Sequence, residues 1–483
     1  MKEEVLGAVA RRNVFLSPDA LEMVMSNSDP LSFVNTVLSA LSKSAMFVSK
    51  KDIMDCIAGD KVLFESANER VRKNKLVSDL AVASGTDVTG CSTCEGKIND
   101  FVVYFKNRFS MLSKILRENR DFMKSEPAGD VCSIKRAFDR GGRDAKIIGM
   151  VYERSETRNG HKRIVVEDEE GKCTVLITKD SPMASETFTD DEVIGVCGKP
   201  STKGDLFIAN KIFRPDVPSG RRWVPSDSSA SVAILSDAHV GSHTFLKSQW
   251  NAMISWLKAN AYESEIDYLI LPGDVVDGIG IYPGHDKDLD VKDIYRQYEM
   301  LSEYLKEIPD HMKIVVQPGN HDAVRPAEPQ PALGGDFAKC FDSEVILTSN
   351  PVSLKIEGRN ILTYHGKSID DWVAKVSGMS YDDPARAMKE MLVRRHLSPI
   401  YGAKNPLAPE KKDYLVIETA PDVFISGHVH GAAHLDYRGV KVINASAWQG
   451  QTEYQRSHNF SPEPAVMPVV NLGSGRVDMK RFD

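Results

Sequence analysis

Asp237-Ala-His239, Gly273-Asp274, Gly319-Asn-His-Asp322, His365-Gly366 and Gly427-His-Val-His430 follow one another in the second half of the chain. They offer two carboxylates (Asp237, Asp274), one amide oxygen (Asn320) and five imidazoles (His239, His321, His365, His428, His430). Mixed nitrogen and oxygen donors suit manganese, iron or zinc, whereas magnesium prefers oxygen alone. Two such cations about 3.5–4 Å apart can share a carboxylate and hold a phosphate between them. Asp-x-His and His-x-His place alternate side chains on one side of an extended chain. Eleven of the 12 histidines fall between His239 and His458, and histidine serves as metal ligand and acid–base group, so the chemistry belongs there.

Something must position these clusters, and each follows a short apolar run: Val232–Leu235, Tyr268–Leu271, Lys313–Val316, Ile361–Tyr364 and Val423–Ile425. In an α/β sheet, sites form in the crevice beyond the carboxyl ends of strands. Singly, a Gly-Asp or an Asn-His-Asp is a polar turn; five in this order, each after a strand, argue against a purely structural reading. Ser248–Asn260 and Ile294–Glu307 read as the accompanying helices. Pro215–Ala230, rich in Pro, Ser, Gly and Asp, reads as a domain edge.

Upstream the pattern changes. Lys146–Tyr152, Arg163–Val166, Cys173–Ile177, Glu192–Val196 and Leu206–Ala209 read as strands, with a hairpin turn at Asn159-Gly160. Five short strands suggest a small barrel, with an oligonucleotide-binding (OB) fold the obvious candidate. Residues 135–222 carry 17 Lys and Arg against 15 Asp and Glu, which leaves DNA contact and protein docking equally open. The N-terminal residues read as short helices, one capped by Ser17 with Pro18 at its first position. Further on, Phe105, Phe109, Leu112, Ile115 and Leu116 mark the packing face of an amphipathic helix.

A chain of 483 residues exceeds one ordinary core, and its net charge of −7 means that any basic surface is local. No apolar run approaches the roughly 18 residues that span a bilayer, and Met1-Lys-Glu-Glu4 does not open a signal peptide. A cytoplasmic, nucleoid-associated location is expected, with no membrane partner. The seven cysteines are scattered, and Cys91-Ser-Thr-Cys94 lacks the second close pair a structural zinc needs, so it reads as ordinary chain.

The ordered motifs resemble the calcineurin-like metallophosphoesterase superfamily. More narrowly, residues from about 100 to 475 resemble the small subunits of archaeal D-family DNA polymerases, through Ile147–Val151, Asp191–Gly195, Asp277–Gly284 and Ile294–Glu299. That resemblance, loose over 1–135, implies a multi-domain chain: a small helical N-terminal domain (1–48), a linker and helical segment (49–135), an OB-fold β-barrel (136–222), and an α/β calcineurin-like phosphoesterase domain (230–483), a β-sandwich flanked by helices. It implies a proofreading 3′→5′ exonuclease with two divalent metal ions, manganese expected and iron or zinc the alternatives. One ion would be held by Asp237, His239 and His430, the other by Asn320, His365 and His428, with Asp274 bridging. His321 would face the scissile phosphate as general acid or charge stabiliser. The implied partners are a large polymerising subunit, DNA with single-stranded or mismatched 3′ ends, and, as a further candidate, a sliding clamp.

Two readings compete with this one. The first is a mainly structural subunit, as in the eukaryotic second subunits that have lost ligands; the intact ligand set argues against it. The second, a free-standing repair nuclease or small-molecule phosphodiesterase, is disfavoured by the barrel and the Asp277–Gly284 loop. His243, His285 and His434 read as supporting or surface groups, and Asp322 as either an orienting group or a turn residue. The loop Ile281–Asp290 could line a substrate channel or contact another subunit.

Overall fold

The computed structural model describes residues 2–11, 15–27, 29–40, 47–51, 53–54, 80–119, 144–201, 206–457 and 460–482. Two compact units form, one of Met1–Ser78 with Pro309–Lys313 and one of Asp79–Ile308 with Ile314–Asp483. In the first, helices Lys2–Arg11, Pro18–Met25 and Pro30–Ala40 bury Val5, Val9, Val24, Val34 and Val37. Ser17 caps the second helix by accepting from Ala20 N at 3.4 Å, with Pro18 at its start. Phe15–Leu16 and Phe47–Val48 add a short parallel pair.

The second unit is built on two six-stranded sheets and a closed barrel. The first sheet runs Ile346–Leu347, Lys313–Gln317, Ile266–Pro272, Ser231–Ile234, Val466–Asn471, Val477–Arg481. The second runs Ala433–Tyr437, Val440–Asn444, Val423–Ser426, Arg359–Thr363, Val352–Ile356, Leu80–Val82. Ser231–Ile234 pairs in parallel with Ile266–Pro272, and Arg359–Thr363 with Val423–Ser426, so the carboxyl ends within each pair point the same way. Helices Ile369–Lys375 and Pro384–Arg394 pack Trp372, Met388 and Met391 against Phe424 and Val442 of the second sheet.

All five barrel runs expected from the sequence are strands: Ala145–Glu156, Lys162–Glu167, Lys172–Ile177, Val193–Pro200 and Leu206–Phe213. Gly160, at φ 76°, takes the left-handed turn position between the first two. The barrel closes with the fifth strand between the third and the fourth, the third and fifth being parallel. Ile147, Val166, Val175, Ile194 and Phe207 fill its interior.

Residues 80–119 do more than link. Leu80–Val82 adds an antiparallel edge strand to the second sheet. Helix Ile98–Glu118 buries Tyr104, Arg108, Leu112 and Leu116, while Phe105, Phe109 and Ile115 are only partly buried. The buried face is therefore offset from the stripe the apolar residues suggest, because Arg108 lies on it. Its guanidinium is neutralised by Asp413 at 2.8 Å. Cys94 lies 3.2 Å from Glu410, and among the described residues no cysteine joins a ligand-forming group. Among them, too, no helix is long and apolar enough to cross a membrane.

Candidate metal centre

The five polar clusters leave the carboxyl ends of strands in both sheets. Ser231–Ile234 leads to Asp237 and His239, Ile266–Pro272 to Asp274, and Lys313–Gln317 to Asn320 and His321. From the second sheet, Arg359–Thr363 leads to His365 and Val423–Ser426 to His428 and His430. Two groups that share no residue result, Asp237–His239–His430 and Asp274–His365–His428, each with its ligand atoms within 4.8 Å of one another, and His239–Asp274–His321 straddles them. Asp274 Oδ2 stands between them, 3.2 Å from His365 Nε2 and 3.9 Å from His239 Nε2. Asn320 Oδ1 lies 3.2 Å from His365 Nε2. His321 adjoins both groups, its ring 4.6 Å from that of His239. All eight residues singled out from the sequence thus come together.

Their atoms fit divalent cations. Asp237 Oδ1 is buried and accepts no hydrogen bond, although it faces His430 Nε2 at 3.5 Å and His239 Nε2 at 3.8 Å. An orphaned carboxylate oxygen there is costly unless a cation answers it. His365 Nδ1 donates to the Pro272 carbonyl at 3.1 Å, which leaves Nε2 facing only oxygens, so the ring must take a second proton or bind a metal. His239 Nδ1 donates to Asp277 Oδ1 at 2.8 Å, turning Nε2 towards His430 Nε2 at 3.2 Å. His428 Nε2 lies 3.3 Å from Asp370, leaving Nδ1 for the site.

The backbone is strained where these groups sit. Asp237, His239, Asp274, His428 and His430 all have φ between 47° and 72°, a region non-glycine residues seldom occupy. At Gly319 a β-carbon would fall 2.6 Å from Asp274 N and 2.8 Å from His365 Cε1, so only glycine lets these loops touch.

Electrostatics set the protons. Burial pulls His321 down, but Asp274 and Asp277 outweigh it and push its pKa up to about 9. His365 reaches about 9 in the same way, against burial, chiefly through Asp274. His321 N donates to Asp274 Oδ1 and its Nδ1 to the Asp277 carbonyl, both at 2.8 Å, so Nε2 is the ring atom free to meet a ligand. Asp322 accepts from Gly319 N at 2.7 Å, Val275 N at 3.3 Å and Tyr298 Oη at 3.0 Å. It ties two ligand loops together, which makes it an orienting group; burial, then Asp274, pushes its pKa up to about 7.

Three supporting residues escaped the sequence reading. Asp277, known there only as the start of a motif, faces His239, His285 and His321. Burial raises its pKa, but these imidazoles hold it far below the carboxylate range. Asp370 receives His428 and Lys367, and Gln455 Nε2 lies 3.0 Å from His430 Nδ1. His285 Nδ1 accepts the Ile281 N–H at 3.3 Å, so a neutral ring carries its proton on Nε2, towards Asp277 Oδ2 at 3.5 Å. That tautomer removes Asp277–His285–His321 as a further ligand group. His243 is exposed beside Asp290, and His434 lies 3.8 Å from Asp436.

Residues 232–432 match the family of B subunits of DNA polymerases alpha and epsilon. The DNA polymerase II small subunit of Thermoplasma acidophilum is 43% identical over 80% of this chain and 78% of its own. That of Archaeoglobus fulgidus is 42% identical over 86% and 83%, and that of Methanothermobacter thermautotrophicus 35% identical over 97% and 98%. The chain belongs to the family of small subunits of archaeal DNA polymerase II, the D-family polymerase. A solved archaeal phosphodiesterase aligns over 52% of this chain at 14% identity and a TM-score of 0.27, too slight a likeness to define the fold.

Proposed function

We propose that this small subunit is a metal-dependent 3′→5′ exodeoxyribonuclease that removes mispaired 3′ nucleotides for its polymerase. The observation carrying this reading is Asp274 Oδ2, a single buried oxygen placed between two ligand groups, one of which also holds the orphaned Asp237 Oδ1. Asp237, His239 and His430 would hold one ion, and Asn320, His365 and His428 the other, with Asp274 within reach of both. Bound there, two ions supply Lewis acidity at the phosphate and lower the pKa of the attacking water. Manganese suits the mixed donor set, as do iron and zinc.

His321 is the catalytic residue. With Nδ1–H fixed on the Asp277 carbonyl, Nε2 presents its proton to the phosphate or to the departing 3′-oxygen. Asp277 keeps the ring aligned. The barrel order, with the fifth strand inserted between the third and the fourth, is that of OB folds and supports that reading of 136–222. We divide the chain at 1–48, 49–135, 136–222 and 230–483, with 230–483 as the phosphoesterase domain. The partners in this reading are the large polymerising subunit, DNA and a sliding clamp, in the cytoplasm at the nucleoid.

The test is Mn2+-dependent degradation of 3′- and 5′-labelled single-stranded DNA by wild type, His321→Ala and Asp274→Ala, each with the large subunit. Stepwise loss from the 3′ end that both substitutions abolish is the expected result. No degradation by any of the three would make a structural role the better reading.

A further inference from the structure

The segment following Asp277 exposes apolar side chains beside the metal centre. Ile279, Ile281 and Tyr282 are 46%, 38% and 36% exposed, while Asp277 and His285 at the base of the loop are buried. The loop is built to hold its shape. Gln297, itself buried, accepts from Gly278 N at 2.9 Å and donates to the carbonyls of Gly278 at 3.1 Å and Val291 at 2.7 Å. Ile281 N donates to His285 Nδ1, Tyr282 packs at a tilt against the His285 ring with centroids 4.4 Å apart, and its hydroxyl donates to Asp288 at 2.8 Å. The base also touches the catalytic segment: a β-carbon on Gly278 would lie 3.2 Å from the carbonyl carbon of His321.

Ile279 is two residues from Asp277, so it lies within about 7 Å of it along the chain. That distance is comparable with the span of one nucleotide. A pre-organised apolar tip so close to the hydrolytic centre has no evident use for phosphate or sugar, which are polar. A nucleobase, by contrast, offers a flat face that stacks on an aromatic side chain such as Tyr282 irrespective of sequence and can bury apolar surface against the isoleucines. The geometry points to Ile279, Ile281 and Tyr282 as the seat of the unpaired 3′-terminal nucleobase. They hold it off the helix stack while its phosphodiester lies at the metals. This inference rests on the nuclease reading above for the identity of the strand.

The test uses the full chain with its large subunit, Ca2+ in place of Mn2+ to suppress hydrolysis, and single strands ending in 2-aminopurine or in an abasic site. Wild type should change the fluorescence of the terminal 2-aminopurine on binding and prefer that strand over the abasic one. In Ile279→Ser and in Ile281→Ser, which give up apolar surface buried against the base, the preference should fall about tenfold, while Tyr282→Phe, which keeps the ring, should retain it. An unchanged preference in both serine variants overturns the assignment. So does loss of the large subunit from either variant in gel filtration, which would make the loop a subunit contact. Because the readout is binding, a wild type that shows the preference but never cleaves with Mn2+ would sink the nuclease reading alone.

Discussion

Two carboxylates outside the candidate ligand set orient the imidazoles proposed to bind metal. Asp277 takes the Nδ1 proton of His239 and lies beside His285 and His321, and Asp370 takes His428. Replacing such a partner weakens metal affinity or activity by about 10–100-fold in comparable sites. Asp277→Asn is expected to raise the Mn2+ concentration for half-maximal activity by that order, read from an Mn2+ titration. Asp370→Asn should act more mildly, since Asp370 holds one imidazole, His428, where Asp277 faces three; equal effects would count against the asymmetry. The candidate residues were legible in the sequence because each follows a strand-like run, whereas their division between two ions came only with the family resemblance. Asp370 was not, because only the tertiary course of helix Ile369–Lys375 brings it to His428.

At the scale of elements, helix Ile98–Glu118 is fixed by one buried ionic cluster. Arg108 donates from Nε to Asp413 Oδ2 at 2.8 Å, from Nη1 to the Pro399 carbonyl at 2.7 Å and from Nη2 to Tyr104 Oη at 3.1 Å. Periodicity located this helix but not its inner face, because an arginine reads as surface until its partner, 305 residues on, is known. The same cluster makes stability depend on pH. His396 Nδ1 accepts the Ser398 N–H at 3.0 Å, so its one proton sits on Nε2, which donates to Asp413 at 2.9 Å. Burial and then Arg108 push its pKa down to about 4, despite Asp413. A histidine in the unfolded chain titrates near 6.5, so the unfolded state binds the proton first as pH falls. The contribution is whole above about pH 6.5 and is lost progressively towards pH 4, by about 3 kcal/mol at most. Denaturant midpoints should show wild type and His396→Gln drawing together between pH 7 and pH 5. A constant gap would mean that His396 is not held neutral.

Across the larger unit as a whole, two separate devices join the parts. At the barrel, the buried Glu192 carboxylate accepts from Thr189 N at 2.8 Å and lies 3.1 Å from Arg214 Nε and 2.9 Å from Arg394 Nε, the last on a helix of the second sheet. Burial raises its pKa, but Arg394 and Arg214 outweigh this and hold it below the usual range. Removing that carboxylate leaves Arg214 only Glu186 and Arg394 only Glu390 as anions, so the cost should fall below the roughly 3–5 kcal/mol of a wholly unpaired buried charge. At the candidate metal centre the proposed ligands come from strand exits in both sheets, so ions bound there only in the folded state would tie the sheets together. At a hundred times its dissociation constant such an ion stabilises by about 2.7 kcal/mol. The two devices share no residue and should therefore act additively. After chelation, thermal unfolding of wild type should move to lower temperature and recover with Mn2+. Glu192→Ala should start lower yet recover by the same increment, whereas Asp274→Ala should gain nothing from Mn2+. An Mn2+ increment that survives Asp274→Ala would place the stabilising ion elsewhere, and one that disappears in Glu192→Ala would show that the barrel junction shapes the metal centre.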